Sequence, residues 1–502
     1  MKYVYILLAL LVLNSCESQL EIDAPSELTF NGFWEGENGA RAAHSGLYGS
    51  FRGEAFTFWV LGAIRSDVWG GQTFESPFYQ DLIESNITVS TAPFGGWAGF
   101  YSRIHKINDF LENVPNIEFQ TPEDKEHMLG QAYGLRAYYY YTLLKTWGAV
   151  PISTEILSTT SPEGLSRARA SKEEVMQLIK DDIERSLEAF GDDASFWNGN
   201  RNYWSKAASL TLKGDAYIWS GNLLGGGNAD FTTAKNALQQ VMEISNISLV
   251  SNYQDLWGPE NENNSEFIFA IQYAENEAGN FYNSFTGRST EIWPQFDEDG
   301  NSMEGFVING GNRYGPSEKT LLISDDNQDA RKDETFIRLY SDSNNGEGYP
   351  NYNADKYFGS VLNKFLGRID GSVRIFDNDI PVYRFADVVL LMAEAKNYLG
   401  EDPSPEINQI RERAYGDDYD PAMHAYSDGS MEENTETILD ERYVEFIAEG
   451  KRWWDLRRAG DSYVIDNVAF LEPGDEYKLL LPITLDMIGR NPLLEQTPGY
   501  QQ

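Results

Sequence analysis

The sequence predicts a mainly α-helical fold of paired helices, interrupted by one loop-rich segment with minor β-strands. Three observations carry this reading. Helical segments with capping residues and one apolar face recur along the chain, and inside them small residues alternate with large aromatics. Between residues 247 and 380 that pattern gives way to Gly, Asn, Asp and aromatics.

Each element has its own signals. PEDKEHMLGQAYGLRAYYYYTLLKTWG (122–148) follows Thr121 as a candidate N-cap, opens with Pro and acidic residues, and closes on a glycine ahead of Pro151. ASKEEVMQLIKDDIERSLEAFG (170–191) starts at Ser171 and sets Val175, Leu178, Ile179, Ile183 and Leu187 on one face. WSKAASLTLKGDAYIWSG (204–221) pairs with FTTAKNALQQVMEIS (231–245) across the joint Gly225 to Gly227. VYRFADVVLLMAEAKNYLG (382–400) pairs with PEINQIRERAYG (405–416), and NTETILDERYVEFIAEGKRWWDLRRAG (434–460) reads as a further helical segment. Ala386, Ala393 and Ala395 stand against Tyr398, and Ala207, Ala208 and Ala216 against Tyr217. Small residues let paired helices approach and large ones fill the gaps, a pattern that resembles tetratricopeptide repeats. EFIFAIQYA (266–274) is the clearest strand-like run.

Cys16 is the one cysteine of the 502 residues, so no disulfide within the chain can staple the fold. It ends an apolar run, Val4 to Leu13, that follows Lys2, the layout of a secretory signal. The run is too short to cross a membrane, which takes about 20 apolar residues. Cleavage after Ser15 leaves Cys16 at the new N-terminus, free to carry a thioether-linked lipid. The expected organisation is a signal peptide at 1–15, a lipidated tether at 16–34 and one domain at 35–502, with its helical scaffold at 35–246 and 381–502 and its loop-rich segment at 247–380.

The chain carries 39 Lys plus Arg against 78 Asp plus Glu, a net charge of −39. Such a surface repels polyanions and disfavours nucleic acid, whose binding rests on phosphate neutralisation by Lys and Arg. It weighs more weakly against sulfated or uronate-rich polysaccharide.

Five separated blocks resemble the SusD/RagB outer-membrane lipoproteins of Bacteroidetes: LRAYYYYTLLKTWGAVPI (135–152), PVYRFADVVLLMAEAKNYLG (381–400), INQIRERA (407–414), LDERYVEFIAEGKRWWDLRRAG (439–460) and LLPITLDMIGRNPLLEQTPGY (480–500). The stretch L-N-S-C likewise resembles the lipobox of bacterial lipoproteins. The resemblance implies a SusD-like fold of tetratricopeptide-like pairs, display on the cell surface, and capture of a nutrient, usually a glycan. It also implies a partner, a SusC-like TonB-dependent transporter barrel on which the lipoprotein sits as a lid.

Catalytic constellations are missing from the sequence. His44, His105, His127 and His424 show no metal-ligand spacing, and no G-x-S-x-G elbow occurs. Glu441, Glu445 and Glu449 lie among Arg442, Lys451, Arg452, Arg457 and Arg458, which reads as ion pairing rather than a hydrolytic carboxylate pair open to a cleft. Asp297, Asp299 and Asn301 alternate as at the start of a calcium loop but lack its glycine and its closing glutamate. No cofactor is expected. The leading function is capture of a neutral oligosaccharide; a surface glycosidase and a peptide-capturing member of the same family are the alternatives. A sugar site needs an exposed aromatic beside polar side chains, and two stretches offer both, RSDVWGGQTFESPFYQ (65–80) and NFYNSFTGRSTEIWPQF (280–296). Trp69 and Trp293 are the expected platforms, Asp67 and Tyr282 polar or edge contacts, and Tyr79 and Arg313 lesser candidates.

Overall fold

The structure, a computed structural model, describes residues 30–70, 80–157, 161–308, 310, 315–343 and 356–501. The signal segment, Cys16, Tyr79 and Arg313 lie outside them. Residues 30–33, where the tether is expected, form a short helix.

The scaffold is helical. Its longer helices are α1 (Glu37–Arg52), α2 (Ala55–Ala63), α3 (Ala98–Asn113), α4 (Pro122–Trp147), α5 (Lys172–Phe190), α6 (Lys206–Leu223) and α7 (Gly227–Met242). α4 packs on α5 and α6 on α7. The expected caps form at α5, where Ser171 Oγ accepts from Glu174 N at 3.2 Å and Glu174 returns the bond to Ser171 N at 2.8 Å. Thr121 precedes α4 in extended geometry without a side-chain cap bond. Small residues sit where helices meet: a Cβ on Gly134 would lie 2.0 Å from the Trp204 indole nitrogen, and one on Gly214 would lie 2.5 Å from Leu238. These contacts leave α4 buried along most of its length, and the ring of Tyr140 and that of Trp147 are wholly enclosed.

The loop-rich segment contains three two-stranded antiparallel sheets. β1 (Phe267–Ile271) pairs with β6 (Ile380–Arg384), β2 (Phe336–Tyr340) with β3 (Tyr357–Leu362), and β4 (Arg368–Asp370) with β5 (Val373–Ile375). A six-residue helix, α8 (Glu318–Ile323), lies in the same segment. β6 corrects one expectation, because Val382 to Arg384 belong to a strand. α9 (Phe385–Tyr398) starts only where Asp387 accepts from Arg384 N at 3.0 Å.

The C-terminal helices are α10 (Ser404–Tyr415), α11 (Met431–Glu445), α12 (Arg452–Ala459) and α13 (Asp461–Asn467). The stretch 434–460 is therefore two helices, not one. Between them Ala448 and Gly450 take φ of 68° and 76°, left-handed values that a glycine adopts at no steric cost. The carbonyls freed by the break are taken by distant side chains. Ala448 O accepts from Trp59 Nε1 at 2.8 Å and from the Tyr282 hydroxyl at 2.6 Å, and Lys364 Nζ donates to Glu445 O and Ile447 O.

Around the break lies a buried ion-pair network. Arg384 bonds Glu266 at 2.6 Å and Glu449 at 3.0 Å and also pairs with Glu445, all with side chains at 0% exposure. Arg413 adds bonds to Glu266 and Glu445, Arg331 to Glu441 and Glu445, and Lys364 to Glu449. The three glutamates do pair, as expected, but mostly with cations from other elements rather than their own helix. Burial would raise the carboxyls of Glu445 and Glu449; the surrounding guanidiniums outweigh it and hold both well below the ordinary carboxylate range. Trp453 and Trp454 are buried packing residues, Trp453 beneath the Arg65 guanidinium at 4.2 Å.

Candidate functional site

The stretch after α2 turns sharply, and its backbone is pinned from two sides. Ser317 N donates to Val68 O at 2.8 Å and Ser317 Oγ to Asp67 O at 2.6 Å, while Trp69 bridges Pro316. Tyr443 of α11 donates its hydroxyl to Asp67 O at 2.9 Å. These bonds hold residues 66–70 to the start of α8, and a bond from Lys319 to Asn467 adds a third remote segment, the last residue of α13 with the turn to Phe470. They enclose a cavity of about 580 Å³, within the range of small-molecule sites.

The cavity has a charged floor and a mixed wall. Asp67 receives Arg452 through two bonds of 2.9 and 3.0 Å and Lys319 Nζ at 2.7 Å. Burial would raise the Asp67 pKa, but Arg452 and Lys319 outweigh it and hold the carboxyl below its ordinary value. Lys319 Nζ also donates to Asn467 Oδ1 at 2.6 Å. With two of its three donors spent, one remains for a ligand. Ile83 and Leu321 supply apolar wall, and Phe470, 49% exposed, stands at the cavity with its ring in solvent.

Two of the residues expected as surface contacts are core residues, and a third is held by the chain itself. Trp69 is 3% exposed because its ring is walled in by Trp59 at 5.6 Å and Phe285 at 5.1 Å. Only part of it borders the cavity. Tyr282 is 1% exposed, stacked on Phe365 at 4.1 Å, with its hydroxyl committed to Ala448 O. Asp67 lines the cavity, but its carboxylate serves Arg452 and Lys319. Trp293 fits its expected role better: it ends a short helix, Ser289–Ile292, is 46% exposed, and is fixed by a 3.0 Å bond from Nε1 to Phe306 O. It does not line the cavity, although the two stretches meet where Trp69 touches Phe285. Lys319 and Phe470 escaped the sequence reading; the signal for Phe470 is an aromatic in the irregular stretch NVAFLEPG.

The alternating acidic stretch after Trp293 is occupied by the chain's own bonds. Asp297 and Asn301 close a turn on each other, with Asn301 N donating to Asp297 Oδ1 at 2.7 Å. Among the described residues no group of three or more His, Cys, Asp or Glu is placed to hold a metal ion, and no helix is long and apolar enough to cross a membrane.

Comparison with known proteins places this architecture. A solved SusD superfamily protein from Bacteroides vulgatus is 32% identical, superposes with a TM-score of 0.83, and aligns over 93% of this chain and 100% of its own. The chain belongs to the SusD family. A SusD family sequence profile matches residues 259–500, and a second profile, described as starch-binding associating with outer membrane, matches residues 66–221. A second solved structure, NanU of B. fragilis, is 35% identical, with a TM-score of 0.84 over 96% of this chain and 100% of that one. SusD-like protein P38 of Formosa agariphila is 27% identical across 99% of this chain and 98% of its own length.

Proposed function

We propose that this SusD family chain is a carbohydrate-binding protein of the outer membrane, anchored through lipid on Cys16 and exposed at the cell surface. It captures a neutral oligosaccharide and delivers it to a SusC-like TonB-dependent transporter. The observation that carries the binding reading is the cavity beside Asp67 and Trp69, in which the remaining donor of Lys319 and the exposed Phe470 ring stand together. A sugar ring offers an apolar C–H face and a rim of hydroxyls, which that set of groups matches. The description of the matching family profile, starch-binding and outer-membrane associated, supports the same reading.

Calorimetry against a panel of neutral glycans tests it. Phe470→Ala is expected to weaken binding by about 1 to 3 kcal/mol if the ring anchors sugar at a desolvated centre, and Trp293→Ala by a similar amount if its exposed ring extends the site. Unchanged affinity in both variants, with the fold intact by circular dichroism, moves the site elsewhere. The anchor and partner are tested on the native membrane. Mass spectrometry should find an acylated Cys16 as first residue, with more than one chain because a single chain binds only marginally, and gentle extraction should bring down a barrel transporter. An unmodified Met1 in the soluble fraction rejects the anchor, and a monomer without a barrel removes the main support for delivery.

A further inference from the structure

We propose that the chain carries a second saccharide contact, a groove beside α1 that takes one uncharged sugar ring; this rests on the carbohydrate-binding reading above. The groove holds about 170 Å³ between one face of α1, formed by Ser45, Tyr48, Gly49 and Arg52, and a facing wall of Tyr203, the β1 residues Phe269 to Ile271, and Gln272. It shares no lining residue with the cavity beside Trp69.

The four α1 positions fall at i, i+3, i+4 and i+7, so they form a single stripe along the helix. Glycine weakens a helix interior more than any residue except proline. At Gly134 and Gly214 a close neighbour explains it, but a Cβ on Gly49 meets nothing within 4 Å. Packing does not call for glycine there, nor at Gly46 on the same helix, where a Cβ also meets nothing within 4 Å; of the two, Gly49 is the one that borders the groove. Its absent side chain lets a ligand reach the helix surface.

The polar groups around this space suit sugar hydroxyls. Tyr203 is half-buried, its ring parallel to His44 at 5.8 Å, and its hydroxyl has no hydrogen-bond partner among the described residues. The exposed Gln272 amide has none there either. Arg52 is held at the rim by Glu277 at 2.7 Å and by the Gln272 carbonyl at 3.2 Å. Tyr48 serves as wall, because its hydroxyl is engaged by Gln131 and by Trp204 N. Arg52 and Glu277 neutralise each other, so the groove presents planar donors and acceptors without a net charge. That combination selects a neutral ring over an ionic ligand.

Calorimetry on the full chain with maltohexaose, laminarihexaose, xylohexaose and chitohexaose tests this. A hexasaccharide that binds should show two sites per chain. Gly49→Leu fills the groove with a better helix former, so its melting temperature should hold or rise while one site disappears. Gln272→Ala, which changes an exposed side chain, should weaken that same site at least fivefold, and Phe470→Ala should leave it intact. A single site that is indifferent to both Gly49→Leu and Gln272→Ala overturns the inference and leaves the main cavity standing. Absence of binding by the unmodified chain to all four sugars rejects the groove as a neutral-sugar site and counts against the carbohydrate reading beneath it.

Discussion

Replacing Arg384 with methionine is expected to lower the free energy of unfolding by about 3 to 5 kcal/mol, the range for breaking a buried ion pair from one side. Methionine nearly keeps the volume, so the loss comes from charge. Glu266, Glu445 and Glu449 would keep their burial and lose the cation that they share. Urea titration followed by circular dichroism measures it, and Arg490→Met is the control: the Arg490–Asp486 pair has side chains 76% and 69% exposed, where ion pairs contribute roughly 0 to 1 kcal/mol. Equal small losses in both variants would show that the buried network is not what holds this junction. The pH dependence has a definite sign. Glu445 and Glu449 have folded pKa values depressed below the ordinary 4.5. The stability they add is complete above that unfolded value and is lost as pH falls through the lower folded values. The unmodified chain should therefore weaken below about pH 4.5, and Arg384→Met should weaken less steeply.

Trp69→Ala is expected to cost about 3 to 5 kcal/mol of stability, as for a large aromatic removed from a packed core. The ring touches Trp59, Phe285 and Phe336, so its deletion leaves a void between α2 and the loop-rich segment. Trp293→Ala removes a ring that is half in solvent and should leave the urea midpoint nearly unchanged. The same technique on the two variants separates core from surface. A Trp69→Ala chain of full stability that has lost only sugar affinity would return the ring to the role of a platform.

That contrast shows what could be read from residues alone. Trp69 and Trp293 have similar neighbourhoods in sequence, each close to an acidic residue in an irregular stretch. Burial was decided by rings from other segments, which local composition does not register. Where the signal is local, the reading reached the structure: Ser171 and Glu174 announce the start of α5, and Gly148, with φ of 72°, ends α4. β6 was hidden because Val382 and Tyr383 extend the apolar run of α9, with Arg384 alone between them and Phe385. The interruption at 446–451 was hidden because its one local mark, Gly450, sits in a sequence otherwise fit for helix. The cavity was only partly legible, since Asp67, Lys319 and Phe470 come from three segments far apart and none identifies the others.

The bonds that close those segments together also set a timetable for the nascent chain. Trp59 finds its acceptor at Ala448, 389 residues later; Asp67 finds Arg452 after 385, and Arg65 finds the Lys478 carbonyl after 413. The N-terminal helices therefore cannot complete their core until the last stretch of polypeptide has been made. Contacts of such long separation make folding slow, and the interval leaves apolar surface open to aggregation. A chain cut short before residue 440 would strand Asp67 as a carboxylate without its guanidinium and Trp59 as an indole without its carbonyl, at the opposite end from the cut. Loss of the C-terminus should thus first be felt among the helices that were synthesised earliest.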